Sequence, residues 1–230
     1  MLLHHALVPA ELNPSLEARW LALLPSRRAA SLARLRSAAD RIATLLGMAL
    51  LGDCARAAGL APPLAGEIVM PARGKPRWIQ GVDFSIAHAG RRVACALAPR
   101  GVTVGLDIEP AGAVTWRDLR LVTRATETER FAAAGLDATS LWTAKEAVVK
   151  AAGAGLAAVC DVEASRTSAA FRGRRFLLRR PRFARGFACT VALSAGASIR
   201  VRELDGLRLL EEPAWMRCGL RRGGRESPQR

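Results

Sequence analysis

Hydrophobic positions in residues 15–60 recur at helical spacing. Leu32, Leu35, Ile42, Leu45, Leu46 and Ala49 follow that period, with Arg28, Arg34, Arg36 and Arg41 between them. The pattern predicts a mostly helical opening through SLEARWLALL and RRAASLARLRSAADRIATLLGMALLGDCARAAG, stopped by Gly59 and the Pro62 and Pro63 pair. Beyond it the period shortens. EIVMPARGKPRWI reads as a short strand, a turn at Gly74 and Pro76, and a second strand. VDFSIAHAGRRVACALAP reads as a hairpin turning at Ala89 and Gly90, and Pro99, Arg100 and Gly101 make a joint.

The second half opens with the strand VTVGLDIE, closed by Pro110. TWRDLRLVTRATETERFAAAG predicts one or two helices, and SLWTAKEAVVKAAG a strongly patterned one. After Gly153 and Gly155, RFLLRR, GFACTVALS and SIRVREL read as strands. GFACTVAL in this half is patterned like RVACALA in the first. The expectation is therefore an α+β protein of two lobes, residues 1–100 and 101–212. The polar, glycine-rich, basic stretch 213–230 reads as a disordered tail.

A chain of 230 residues, half hydrophobic and 24% charged, is long enough for a substantial core and excludes a disordered polypeptide. The longest apolar run near the start, residues 42–52, is too short to cross a bilayer. The opening MLLHHALVPAELNP lacks the basic lead and long apolar run of a secretion signal, so a soluble intracellular protein is expected. Five cysteines (Cys54, Cys95, Cys160, Cys189 and Cys218) are scattered, which predicts free thiols over a disulfide framework. With only three histidines, two of them adjacent, a zinc site is disfavoured, and the absence of tyrosine removes one class of catalytic acid.

The formal charge of +15 suits an anionic partner: nucleic acid, a phosphate-rich small molecule or an acidic protein. Of the 35 basic residues only Lys75, Lys145 and Lys150 are lysines. A lysine can give up a proton where arginine cannot, so these three positions stand out against the arginine background. In GLDIEP, strand alternation turns Val104, Leu106 and Ile108 one way and Asp107 and Glu109 the other. Two like charges on one strand face repel, a cost relieved by solvent or by a hard cation such as Mg²⁺. In LWTAKEAVVKAAG, Glu146 and Lys150 lie one above the other on a helix face. If that helix crosses the strand, three carboxylates and a lysine meet. His88, at the end of FSIAH and before a turn followed by two arginines, is a further candidate phosphate contact.

In this order the pieces resemble the 4′-phosphopantetheinyl transferases, most closely the long, two-lobed type that activates peptide and polyketide synthases. GLDIEP is similar to that family's G-[IV]-D-[IV]-E strand and LWTAKEAVVKAAG to its W-[ST]-x-K-E-[AS]-x-x-K-x-x-G helix. GKPRW is similar to its G-K-P turn, and FSIAHAGRRVACALA to its F-N-x-S-H-S-G hairpin. The resemblance runs from about Arg27 to Leu193. It implies a pseudo-twofold fold with the active site between two similar lobes, and transfer of the phosphopantetheine arm of coenzyme A to a serine of an apo acyl or peptidyl carrier protein. By the same resemblance Asp107, Glu109 and Glu146 hold Mg²⁺, and Glu146 is the candidate base. Lys150 assists the departing phosphate, and Arg28, Lys75, His88 and Lys145 receive coenzyme A. A monomer would suffice, with neither nucleic acid nor membrane as partner.

The chain departs from the family where Ala87 and Ala89 replace hydroxyls beside the histidine, and where Ala43 replaces a basic residue near Arg41. These losses are expected to remove contacts near the coenzyme's phosphates. A Mg²⁺-dependent nuclease or an arginine-rich nucleic-acid binder is the alternative from another class. The dispersed arginines and the lack of an aromatic-interleaved RNA motif count against both.

Overall fold

Five polar side chains start helices where the hydrophobic pattern breaks. Asn13, Ser37, Thr115, Asp137 and Asp205 each accept a hydrogen bond from a backbone N–H in the following turn. The computed structural model describes residues 1–63, 65–71 and 74–213. In chain order, strand β1 (Leu2–Leu7) precedes helices α1 (Pro14–Ala22), α2 (Ser26–Ala33) and α3 (Ala38–Ala57). The short strands β2 (Ile68–Val69) and β3 (Arg77–Trp78) follow, then the hairpin β4 (Phe84–Ala89) and β5 (Arg92–Leu97). The second half runs β6 (Val104–Pro110), α4 (Trp116–Leu119), α5 (Ala125–Ala133) and α6 (Ala138–Ala152). It continues with β7 (Val162–Ala164), β8 (Ser168–Phe171), β9 (Arg174–Arg179), β10 (Phe187–Leu193), β11 (Arg200–Leu204) and α7 (Gly206–Glu211).

The class is α+β, built on two sheets. A four-stranded sheet has the order β11-β1-β5-β4, and an antiparallel five-stranded sheet the order β6-β10-β9-β8-β7. Helix α3 covers one face of the first sheet, where Leu46, Leu50 and Cys54 share a core with Val93, Cys95 and Leu97. Helix α6 covers one face of the second, its Leu141, Val148 and Val149 sharing a core with Phe176 and Ala192. The remaining faces meet in a third core: Leu3, Ala94 and Ala96 against Val104, Leu106, Ile108 and Val191. The layers run helix, sheet, sheet, helix. Each large apolar side chain buried in them contributes roughly 1.5–3 kcal/mol of transfer energy, and the alanines of β5 bring the sheets close.

The structure refines several expectations. The helical opening is three helices, and Leu35 lies in the turn between α2 and α3, 37% exposed, instead of continuing the stripe. LLHHAL forms β1, an inner strand that buries His4 and His5. The strand and helix at 200–211, expected in a lobe ending at residue 212, lie with the first half. There β11 pairs parallel with β1, and α7 shares the core of α3 through Leu210. An isolated strand pattern carries no information on its partner; β1 has an edge that β11 covers. Cys54, Cys95 and Cys189 are buried free thiols and Cys160 is an exposed one. The expected tail from residue 213, with Cys218, lies beyond that first residue outside the described residues. No helix among the described residues is long and apolar enough to cross a membrane.

Candidate active site

Strand β6 sorts its side chains as its alternation requires. Val104, Leu106 and Ile108 enter the core between the sheets, while Gly105 lies against α6. Asp107 and Glu109 share the face of Gly105. Helix α6 begins on the Asp137 cap and ends at Gly153, whose φ of +71° is a left-handed conformation that glycine adopts without strain. It presents Glu146 to the strand. One carboxylate oxygen each from Asp107, Glu109 and Glu146 lies within 4.8 Å of the others. The Lys150 ammonium stands 2.5 Å from Asp107 Oδ1 and 3.1 Å from Glu146 Oε2. The other oxygen of Asp107, Oδ2, is buried with no hydrogen-bond partner. Opposite Asp107 on β10, Thr190 meets Thr143 of α6 at 2.8 Å between hydroxyls, a second tie between helix and sheet.

The electrostatics follow from that crowding. Burial, joined by the neighbouring Glu146 and Glu109 carboxylates, pushes Asp107 up to about 8 against the pull of Lys150. Burial and Glu146 likewise raise Glu109, which is only half-buried. Burial works against the charge on Lys150, but Asp107 and Glu146 outweigh it and raise its pKa. A buried, unpartnered carboxylate oxygen is costly unless a cation meets it. Three converging oxygen donors, with no nitrogen or sulfur, fit a hard divalent ion such as Mg²⁺.

Beside this cluster a cleft of about 390 Å³ is lined by Arg28, Thr44, Lys75, Ser85, His88 and Lys150, among others. Lys150 therefore belongs both to the acidic cluster and to the cleft wall. Arg28 is supplied by α2 and the exposed His88 by the end of β4. The Lys75 ammonium is committed to Asp83 Oδ2 at 2.6 Å and to the Val104 carbonyl at 2.5 Å, and burial lowers its pKa.

Of the expected coenzyme contacts, Lys145 does not reach the cleft. Its side chain is fully buried and pairs with Glu127 Oε2 at 3.0 Å while donating to the Val162 carbonyl. Consecutive helix residues diverge by about 100°, so Lys145 points into the second core while Glu146 points at β6. Ala87 and Ala89 also differ from expectation, because their side chains enter the core between the sheets, away from the cleft. Arg41 pairs with Glu17 at 2.8 Å and donates to the Leu35 carbonyl, and Ala43 lines the cleft. Asp83 and Glu127 went unnoticed in sequence because neither sits in a recognisable motif. The one available signal was the D-x-S alternation of Asp83 and Ser85 leading into the His88 strand.

Residues 103–192 match the family model of the 4′-phosphopantetheinyl transferase superfamily. The matched segment contains the whole of β6 and α6, and with them all three carboxylates and Lys150. Arg28, Lys75 and His88, on the cleft's other wall, precede it. No curated protein matches the chain.

Proposed function

We propose that this chain transfers the 4′-phosphopantetheine arm of coenzyme A to a serine hydroxyl of an apo acyl or peptidyl carrier protein, releasing 3′,5′-ADP. This makes it a transferase of the holo-acyl-carrier-protein synthase type. The observation that carries the reading is the unpartnered Asp107 Oδ2 within a carboxylate triad whose lysine also lines a cationic cleft.

Asp107, Glu109 and Glu146 would hold the divalent ion. When bound, Mg²⁺ neutralises charge at a pyrophosphate and makes its phosphorus more open to attack. Arg28 and His88 face the cleft with charge or hydrogen-bonding capacity for the coenzyme's phosphates. Glu146 accepts the serine proton, and Lys150, held protonated by its two carboxylate partners, donates to the departing phosphate oxygen. Positioning two substrates in one cleft turns a bimolecular encounter into a local displacement, worth several kcal/mol of barrier.

The test is mass spectrometry of several apo carrier proteins incubated with coenzyme A, Mg²⁺ and the full chain. A gain of the phosphopantetheine mass on the carrier serine is expected. No gain on any carrier, with coenzyme A unconsumed, overturns the reading.

A further inference from the structure

Strand β6 is an edge of its sheet, so some of its backbone N–H groups have no strand partner. Two are met by side chains from β4 and the residue before it. The Val104 N–H donates to Asp83 Oδ2 at 2.8 Å and the Leu106 N–H to Ser85 Oγ at 3.0 Å. The same Asp83 oxygen accepts from Lys75 Nζ, which also donates to the Val104 carbonyl. Three residues thus close one knot: Lys75, Asp83 and both backbone polar groups of Val104. Val104 lies three residues before Asp107.

The knot also reaches α6. Gly74, next to Lys75, approaches the end of that helix so closely that a β-carbon on it would stand 3.1 Å from the Gly153 carbonyl. A β-carbon on Gly153 would lie 3.8 Å from Lys75 Cβ. The start of the strand bearing Asp107 and Glu109 and the end of the helix bearing Glu146 are therefore referenced to one ion pair. That pair is mostly shielded, its side chains 14% and 25% exposed.

We propose that Asp83 is a positioning residue. Through Lys75 and Val104 it sets the spacing of β6 and α6 at which Asp107, Glu109 and Glu146 converge on a divalent ion. This rests on the reading of that triad as the metal site. Asp83 touches no substrate in this scheme; it acts through the backbone of the metal strand. Ångström-scale loosening of a ligand set is enough to weaken metal binding and turnover together.

The experiment is calorimetric titration of the full chain with Mn²⁺ in the absence of substrates, followed by transfer kinetics. Asp83→Ala loses both acceptors and is expected to bind Mn²⁺ at least tenfold more weakly. Its kcat falls in parallel, and its KM for coenzyme A stays within about threefold. Asp83→Asn keeps an oxygen that accepts from Val104 N–H and Lys75 and is expected to restore both within about threefold. An Asp83→Ala chain that melts like wild type and binds Mn²⁺ equally well overturns the inference, as does an asparagine variant no better than alanine. Should Asp83→Ala fail to fold, Lys75→Met removes the other half of the knot and carries the same expectation for Mn²⁺ affinity. In that variant a raised coenzyme KM with unchanged Mn²⁺ affinity overturns it. Wild type that binds Mn²⁺ but transfers nothing overturns the proposed function alone; wild type that binds no Mn²⁺ overturns both.

Discussion

A β-carbon on Gly105 would stand 1.8 Å from the carbonyl oxygen of Ala147 and 2.4 Å from the Ala151 amide nitrogen. Helix α6 thus rests on bare strand backbone, and this approach brings Glu146 within ligand distance of Asp107. Neither obstructing atom can yield, since both belong to helix backbone. Gly105→Ala must lift α6 from β6. A cost of about 3 kcal/mol is expected, lowering the thermal midpoint by roughly 6–12 °C, together with loss of divalent-ion binding. A wild-type melt and metal titration would show that α6 does not rest on the Gly105 backbone.

Asp107 is buried beside two like charges, an arrangement that costs stability. Asp107→Asn removes the buried charge while leaving an oxygen for Lys150. Transfer is expected to fall at least a hundredfold while the thermal midpoint stays level or rises. Thermal melts alongside the carrier assay test this, and a variant that loses stability in proportion to activity would contradict it.

Lys150→Arg keeps a cation against Asp107 and Glu146 but offers no readily released proton. The expected result is a coenzyme KM within a few-fold of wild type and a kcat reduced about a hundredfold. Near-normal turnover in steady-state kinetics would remove the acid role from Lys150.

Away from the cleft, His4 Nδ1 and Asp53 Oδ2 are 2.9 Å apart in the first core, and Arg56 joins the other Asp53 oxygen. Burial disfavours the charge on His4, but Asp53 and Cys54, through hydrogen bonding and charge, together outweigh it and raise the imidazole to about 9. The His4 bond, with Arg56 and against burial, holds Asp53 at about 2. Stabilisation from His4 is complete below its unfolded value of about 6.5 and is lost as pH rises through about 9. Stabilisation from Asp53 is complete above about 4 and is lost as pH falls towards 2. Thermal midpoints against pH are expected to form a plateau with a fall at each end. Asp53→Asn should lower the plateau by about 2 kcal/mol and flatten both limbs; an unchanged profile would assign the limbs to other groups.

The formal charge of +15 gives the chain a field that attracts anionic partners. If the carrier is acidic, complementary charge accelerates encounter, and salt screens it over a Debye length of about 8 Å at 0.15 M. Carrier KM is expected to rise several-fold between 50 and 300 mM salt (roughly the range over which screening sets in). Salt-independent kinetics would exclude electrostatic docking.

Much of the site was legible before any coordinates. Alternation in GLDIEP places Asp107 with Glu109, and helical spacing in WTAKEAVVK places Glu146 over Lys150, because both periods are local properties of backbone geometry. The lysines were conspicuous against arginine, yet they separate in the fold. Lys150 reaches the triad, Lys75 is bound into the knot with Asp83, and Lys145 is buried against Glu127. Which helix face meets which sheet depends on residues far apart in sequence, and no local pattern encodes it. The same reason hid β1, whose LLHHAL breaks apolar alternation with two histidines that only Asp53, Arg92 and the neighbouring strands make tolerable inside the protein.

The amino-acid order alone therefore determined the elements, their amphipathic faces and the chemical kinds of side chain that an acidic strand and a lysine-bearing helix offer. Tertiary structure decided which of those faces touch: Glu146 over Asp107, Ala87 and Ala89 inward, and β11 beside β1. Backbone periodicity is set within a few residues. Burial, ion pairing and strand partnership are settled between segments that only folding brings together.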